Sequence, residues 1–441
     1  MSAHRETNRR SFLRCSTGLA AGLWLVGSRV RASGPSPADK LNIGLVGVGG
    51  RGADNLKSVS GQNIVALCDV DEGNLGRAAT QFPAAKTYHD FRKLLEQKNI
   101  DAIVVSTPDH VHAAVALPAL QLRKHVYCEK PLTHNITEAR GLAQYAVAYR
   151  MATQMGNGGH SSENTRRVVE LVRAGAIGTV KEVHAWTDRP IWPQGIAKRP
   201  EAQPVPKGLH WDLWLGPAPE RAYNAAYHPF KWRGWWDFGT GALGDMGCHI
   251  IDAAYWALDL RNPSRIEAKS APVNTETAPE WSIIRYTFPA TRDRGPVTLV
   301  WYDGGKLPPA ELFDGHAPKP GSNGSIFVGT KGRLLSERAR LLPEKDFEGY
   351  KRPEPTIPRS PGHHEEWIDA CKTGKPTGTS FDYAGPLTEL VLLGNVALRK
   401  GFPIEWDGLT GMVTNAGRLE DLFIHRPGRK GWAVMPGFPT S

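Results

Sequence analysis

The stretch HVYCEKP, residues 125–131, runs an apolar pair into Cys128, Glu129, Lys130 and a helix-incompatible proline, Pro131. It reads as a buried strand that ends by placing a carboxylate and an ammonium at the rim of a sheet. A rim lysine can stand in a plain ion pair with its neighbour Glu129, or it can offer its charge to a ligand. A second constellation lies in WDFGTGALGDMGCHIIDAAYWALDL, residues 236–260. Glycines at 239, 241 and 244 give way to a helical pattern in which Asp245, His249 and Asp252 fall at i, i+4 and i+7, one polar stripe on one helix. Three readings fit the stripe. Asp245 can serve the helix dipole beside an exposed histidine. The set can contribute to a metal site, although no convincing set of further ligands at matched spacing is visible and no metal is expected. Or His249 is a general acid or base near neutral pH, oriented by Asp245 and favoured in its charged form by it.

These groups gain meaning from residues 41–59, LNIGLVGVGGRGADNLKSV. An apolar run ends in Gly47, Gly49 and Gly52 at G-x-G-x-x-G spacing, with Gly50 and Arg51 inside the turn, and helix-compatible residues follow. The chemistry served is a tight turn, close approach of backbone to a pyrophosphate, and phosphates at a helix N-terminus. A second apolar run, NIVALCDVD, ends in Asp69, placed to accept both adenosine ribose hydroxyls and to repel a 2′-phosphate. NAD is therefore favoured over NADP; Arg51 leaves NADP possible. A proton acceptor such as His249 is what removal of hydride from an alcohol carbon requires.

The positioning elements alternate. Helix patterns near FRKLLEQKN, HAAVALPALQLRK and ITEARGLAQYAVAYR separate strands at DAIVVSTP, HVYCEKP and ATQMGN. That alternation predicts right-handed crossovers and a doubly wound parallel sheet, with ligands at the C-terminal strand ends. Ser106, Thr107, Pro108, His112 and Lys130 all fall on that rim. Beyond Gly156 the strands KEVHAW, RIEAKS, WSIIRYTF, VTLVWYDG and SIFVGT follow one another without helices between them. The expected fold is thus α/β, an N-terminal Rossmann domain over 41–156 and a C-terminal α+β domain over 157–441 with a large open, mainly antiparallel sheet.

Residues 1–32 have the layout of a cleavable twin-arginine export signal: NRRSFLRC, a modest apolar run from Gly18 to Gly27, and small residues at Val30 and Ala32. Residues 33–40 read as a linker. The segment carries a net +5 of the formal +10, and the remainder has no dense basic run, so nucleic acid is not an expected partner. No later run approaches about 18 apolar residues, so no stable membrane anchor is expected after cleavage, and the mature protein is expected in the periplasm or outside. Cys68, Cys128 and Cys248 sit in apolar settings without CxxC spacing, as buried free thiols do.

Taken together, GVGGRG, CDVD, STPDHVH, CEKPL and GDMGCHIID resemble the Gfo/Idh/MocA family, oxidoreductases of sugars and cyclitols. The resemblance implies that Lys130 contacts the substrate hydroxyl and the nicotinamide region, lowering the alcohol's pKa. It implies that His249 is the catalytic base, with Asp245 its partner or a substrate ligand, and that Thr107, Pro108, His112 and Glu129 lie near the cofactor. Two departures stand out. Many members carry an arginine after TQMGN, whereas here GGHSSENTRR places His160 in that neighbourhood. Residues 186–237 form an aromatic-rich insertion in which Lys231, Arg233 and Trp235 are candidate substrate contacts.

Export bears on chemistry. Free NAD is scarce outside the cytoplasm, so a tightly held cofactor must pass the hydride it takes up back out in the same site, either to a second carbonyl compound in a ping-pong exchange or to the oxidised substrate itself in a redox-neutral cycle. A dehydrogenase acting on a sugar, glycoside or cyclitol fits this. So does a redox-neutral NAD-dependent glycosidase, which oxidises, eliminates and re-reduces. A non-catalytic sugar-binding protein retaining the cofactor is the third reading, weighed against by the intact Lys130 and His249. A homo-oligomer is expected, with the Pro-rich stretches 304–324 and 342–362 as candidate arms.

Overall fold

The computed structural model describes residues 39–417 and 419–432; the export signal expected over 1–32 lies outside the described residues. The first domain alternates β1 (Asn42–Val46), α1 (Arg51–Val59), β2 (Asn63–Cys68), α2 (Glu72–Gln81), β3 (Lys86–Tyr88), α3 (Phe91–Leu95), β4 (Ala102–Val105), α4 (His112–Gln121), β5 (His125–Cys128), α5 (Ile136–Tyr149) and β6 (Thr153–Met155). All six strands are parallel, in the order β3-β2-β1-β4-β5-β6. Ile43, Ile103, Val104 and Val126 are fully buried, because helices cover both faces of a parallel sheet and leave no polar side. Side-chain caps set the helix starts: Asp71 accepts from the Asn74 N–H, Asp90 from Arg92 and Asn135 from Glu138. The order reverses between β1 and β4, so the loops after these strands diverge and open a crevice at the C-terminal rim.

The second domain comprises α6 (Glu163–Arg173), β7 (Val180–Trp186), α7 (Trp211–Leu215), α8 (Gly241–Ile250), α9 (Asp252–Leu258), β8 (Arg265–Ser270), β9 (Ser282–Phe288), β10 (Val297–Tyr302), β11 (Gly324–Gly329), β12 (Arg333–Leu335), β13 (Arg340–Leu342), α10 (His363–Thr373), α11 (Phe381–Lys400), β14 (Ile404–Asp407) and β15 (Met412–Val413). Nine strands form one sheet, β13-β12-β11-β7-β10-β9-β8-β14-β15, antiparallel except where β7 meets β10. The stripe expected on one helix is divided: α8 ends at Ile250 and α9 starts at Asp252.

Helix α11 joins the two sheets by packing on α5. Gly385 is what permits the close approach, since a Cβ there would lie 2.9 Å from the Ala139 carbonyl oxygen. Beside it Arg140 holds Glu389 through two hydrogen bonds of 2.6 and 2.7 Å, and Trp406 Nε1 donates to the same carboxylate. The tail returns to the first domain, where the Ile136 and Thr137 N–H groups donate to Phe423 and Ile424.

Each Pro-rich stretch is anchored to its own chain while much of its length is exposed. Phe313 is fully buried against Trp186, Val300 and Ile326 of the protein's own sheet. Thr356, Ile357 and Arg359 all donate to Glu170 on α6, and Glu170's carboxyl is held down to about 2 by Arg359 and its other donors. The four described cysteines are free, three of them buried. No described helix is long and apolar enough to cross a membrane.

Replacing Glu389 with alanine leaves Arg140 uncompensated at a largely buried contact. The expected loss is about 3 kcal/mol in denaturant unfolding. The exposed partner Glu405, which pairs with Arg265, is expected to cost under about 0.5 kcal/mol when truncated.

Candidate active site

The turn after β1 is shaped for a dinucleotide. Gly47 has φ +81°, and a Cβ there would lie 2.6 Å from the Ser106 carbonyl oxygen; at Gly52 it would run into the Gly47 carbonyl. Gly49 faces the Asn74 side chain, whereas Gly50, at φ +48°, has open space where a Cβ would stand. Asp69 is buried at the end of β2. It accepts from the Val48 and Asp71 N–H groups at 2.9 Å each, which fixes the turn, and burial raises its carboxyl above the usual range. The buried hydroxyl of Thr107, next to Pro108 on the β4 rim, has no hydrogen-bond partner among the described residues. An open glycine turn, an acid at the ribose position and an orphaned rim hydroxyl fit NAD: the turn would take the pyrophosphate, Asp69 the ribose, and Thr107 the nicotinamide side.

Two predicted residues brace this rim. His112 is buried and uses both ring nitrogens, 2.8 Å from the Pro131 and from the Thr107 carbonyl oxygens, tying the β4 and β5 loops together. Expected near the cofactor, it thus supports the rim instead of offering a free nitrogen to a ligand. Glu129 accepts from Arg51 Nε at 3.0 Å and Asn55 Nδ2 at 2.9 Å. Burial pushes its carboxyl up, but Arg51, Asn55 and Lys130 outweigh that and hold it below its ordinary value. Gly156 admits this carboxylate, since a Cβ there would lie 2.7 Å from it. Asn55 and His364 had no signal in the sequence. Asn55 Nδ2 also donates to Ser106 Oγ, and its Oδ1 lies 3.1 Å from His364 Nε2 of α10.

Lys130 points across to the second domain. Its Nζ donates to Asp245 Oδ1 at 2.7 Å and to the Asp245 carbonyl oxygen at 2.8 Å, with the two side chains 13% and 10% exposed. The partner is therefore Asp245, not the adjacent Glu129. Arg233 Nε stands 3.2 Å from Asp245 Oδ1, and Arg189 Nε 3.5 Å from Oδ2. Burial alone would raise the Asp245 carboxyl, yet Arg233 and Lys130 hold it well below the usual carboxylate range.

Asp245 does not orient His249. Among the described residues the His249 side chain makes no hydrogen bond, and burial, reinforced by the charge of Lys130, lowers its pKa to about 4 despite Asp245. It is neutral at pH 7, not favoured in its charged form, because burial and the nearby lysine outweigh the surrounding carboxylates. A neutral imidazole is the state that accepts a proton.

The remaining expectations divide. Arg233 belongs to the cluster: it also reaches Asp109 at 3.3 Å and lies over the Trp232 ring at 4.3 Å. Lys231 is exposed. Trp235 is 1% exposed and donates to the Ala226 carbonyl within an aromatic core that includes Trp214, Tyr227 and Phe238, so it is no substrate contact. His160 is equally removed: buried, bonded to Asp252 at 2.9 Å and stacked on Trp256. Asp252 takes a second bond from Tyr383, which withdraws it from the expected stripe. Asp109 and Arg189 are cluster members that the sequence did not mark. The fold also gathers Glu72, His89 and His210, whose ligand-type atoms lie within 4.8 Å of one another. Their scatter along the chain hid them when spacing alone argued against any metal.

A dinucleotide cradle facing lysine, carboxylate and imidazole across a two-domain cleft defines a class, the NAD-binding oxidoreductases. The profile described as oxidoreductase family, NAD-binding Rossmann fold matches residues 41–156, and that for the family's C-terminal alpha/beta domain matches 165–434. The chain belongs to the Gfo/Idh/MocA oxidoreductase family. It is 30% identical over 151 residues to an inositol 2-dehydrogenase of Salmonella typhimurium, covering 33% of this chain and 45% of that protein. It is also 30% identical over 199 residues to a glycosyl hydrolase family 109 protein of Shewanella sp. (strain ANA-3), covering 39% and 44%. The chain thus spans under half the length of the curated relatives it matches. The WlbA dehydrogenase of Bordetella pertussis, solved with NADH and UDP-GlcNAcA, superposes with a TM-score of 0.60 at 16% identity, covering 83% of this chain and 99% of that one.

Changing Asp245 to alanine strips the counter-charge from Lys130, Arg189 and Arg233 together. The expected destabilisation is about 3–5 kcal/mol, read by chemical unfolding, with Asp245→Asn intermediate because it keeps a hydrogen-bond acceptor.

Proposed function

We propose that the protein oxidises a hydroxyl of a sugar, glycoside or cyclitol while keeping its nicotinamide bound, that the stored hydride is then passed to a second carbonyl compound in the same site, and that the protein works in the periplasm or outside the cell after twin-arginine export. The observation that carries the reading is the meeting of Lys130 with Asp245, in reach of a neutral His249, at the C-terminal rim of an NAD-binding domain. When bound, NAD supplies the hydride acceptor. Lys130 places positive charge where the reacting oxygen becomes an alkoxide, and His249 accepts the hydroxyl proton, so that a carbonyl forms at the oxidised carbon. Asp245 holds the ammonium in place and keeps the cationic groups compensated. The inositol 2-dehydrogenase relative and the carbohydrate ligand in the WlbA structure support a polyhydroxylated substrate. The NRRSFLRC segment supports export, and we infer a homo-oligomer from the breadth of the nine-stranded sheet.

The family 109 relative favours a second reading, in which the oxidised glycoside loses its aglycone and the stored hydride restores the sugar. The two separate cleanly. Sugar or cyclitol added to purified protein should raise the bound-nicotinamide absorbance near 340 nm under the dehydrogenase reading. Release of aglycone from aryl glycosides with no lasting reduced cofactor would put the glycosidase first. If no member of such a panel is turned over and Lys130→Ala changes nothing, the enzyme reading fails. Under either chemistry Lys130→Ala is expected to slow the reaction by about 10²–10⁴ while NAD stays bound.

The base also sets a pH profile. His249 is protonated only below about 4, so the rate of cofactor reduction should rise with pH through that value and stay level from pH 5.5 to 8. A midpoint near 6.5 for the acid limb would mean that burial and Lys130 do not depress this imidazole.

A further inference from the structure

The aromatic insertion is fastened to the dinucleotide rim by backbone pairing at one corner. The Glu72 N–H donates to the Gly208 carbonyl and the His210 N–H to the Val70 carbonyl, both at 2.9 Å, and Asp71 bridges to Leu209 in antiparallel fashion. Those contacts bring three potential ligands together: Glu72 at the start of α2, His89 after β3, and His210 from the insertion. The two imidazoles are close neighbours, ring centroids 4.1 Å apart and tilted by 31°.

We propose that Glu72, His89 and His210 bind a transition-metal dication of the Zn2+ type, which pins the insertion to the first domain beside the NAD-binding rim. The tautomers are arranged for it. His89 Nδ1 lies 3.1 Å from the Asp69 carbonyl oxygen; donating there fixes the tautomer that leaves Nε2 unprotonated and able to ligate. A ligating histidine fixed through its other nitrogen by a carbonyl is the usual supporting arrangement at zinc sites. His210 Nε2 is buried and has no hydrogen-bond partner among the described residues; Glu72 Oε1, at 3.5 Å, is too far for a hydrogen bond and near enough to share an ion. An orphaned ring nitrogen opposite a carboxylate and a second free nitrogen is an electron-pair set lacking its acid.

The dimensions allow closure. Ligand atoms about 2.1 Å from a tetrahedral ion stand about 3.4 Å from one another. The atoms here lie within 4.8 Å, and the exposed Glu72 side chain is free to swing in. Two imidazoles with one carboxylate select Zn2+, Co2+, Ni2+ or Cu2+ over Mg2+ and Ca2+, which prefer all-oxygen shells. Three protein ligands leave the fourth position to water. The site also touches the cofactor corner, since the carbonyl that orients His89 belongs to Asp69, the residue placed for the ribose.

Tag-free full-length protein carrying its nicotinamide, dialysed against Zn2+ and then against metal-free buffer, is expected to retain one zinc per chain by elemental analysis. Co2+ in its place should give d–d absorption in the visible. Glu72→Gln, a surface change, should weaken zinc affinity at least tenfold, and the double variant His89→Ala/His210→Ala should abolish retention. With zinc removed, trypsin should cut faster after Lys198 and Lys207 of the insertion. Absence of stoichiometric zinc in the wild type would overturn the proposal, as would equal retention by Glu72→Gln and the double variant. Because the readouts are metal content and proteolysis, they stand apart from whether a sugar is oxidised.

Discussion

The arrangement depends on one ion pair that joins the domains, Lys130 with Asp245. Taking two such charges largely out of water costs several kcal/mol per ion, and attraction offsets this only with close geometry and further hydrogen bonds. Both conditions are met: Nζ holds Asp245 Oδ1 and the same residue's carbonyl, while Arg233 stands 3.2 Å from that same oxygen and Arg189 3.5 Å from Oδ2. The pair is therefore better understood as a registration device than as a source of net stability. It obliges α8 to sit over the end of β5, and through α8 it sets where His249 can be. Burial disfavours a charged His249, and the same positive charge that secures Asp245 adds to that effect.

Holding two domains in that register requires closure on more than one side. α11 provides one closure through its contact with α5 and the Arg140–Glu389 fork. The insertion provides another, crossing from the second domain to the β2 and β4 ends. His110 on the β4 rim lies 3.1 Å from the Phe238 and 3.0 Å from the Trp214 carbonyl oxygen, Asp109 receives Thr240 Oγ1 at 2.7 Å, and the β2 turn pairs with residues 208–210. The tryptophans of this segment build its own core and so make it stiff enough to carry Arg233 to the cleft. Aromatic richness here measures the cost of folding a segment that has few regular elements.

What could be read from the sequence was local and periodic. The apolar strand runs, the glycine turn and the Asp69 position depend on neighbours within a few residues, and they placed five of the six strands of the first sheet. β3 escaped because Lys86–Tyr88 is a short, largely exposed edge without an apolar run. Asp245 and Lys130 were legible as chemistry but not as partners. Helical spacing pairs Asp245 with His249 one turn away, whereas the stronger field comes from cations that only the tertiary fold delivers. His160 and Asp252 show the same limit: a histidine and an acid far apart in the chain satisfied each other in the interior. Asn55 and His364 look unremarkable in sequence, since their role rests on contacts between the two domains.

The Lys130 ammonium has one more bond to give. An ammonium carries three donors, and Asp245 occupies two of them through Oδ1 and its carbonyl. Those two bonds leave one N–H whose direction follows from the others, because the three are fixed at tetrahedral angles. Under the proposed chemistry, a substrate hydroxyl that takes this third bond would meet a donor already ordered, with little orientational entropy lost on binding and little reorganisation needed as charge builds on oxygen. An arginine at this position would spread its charge over a planar fork and bind Asp245 edge to edge, with no compact donor left over. The pairing that registers the domains is thus also what aims the lysine.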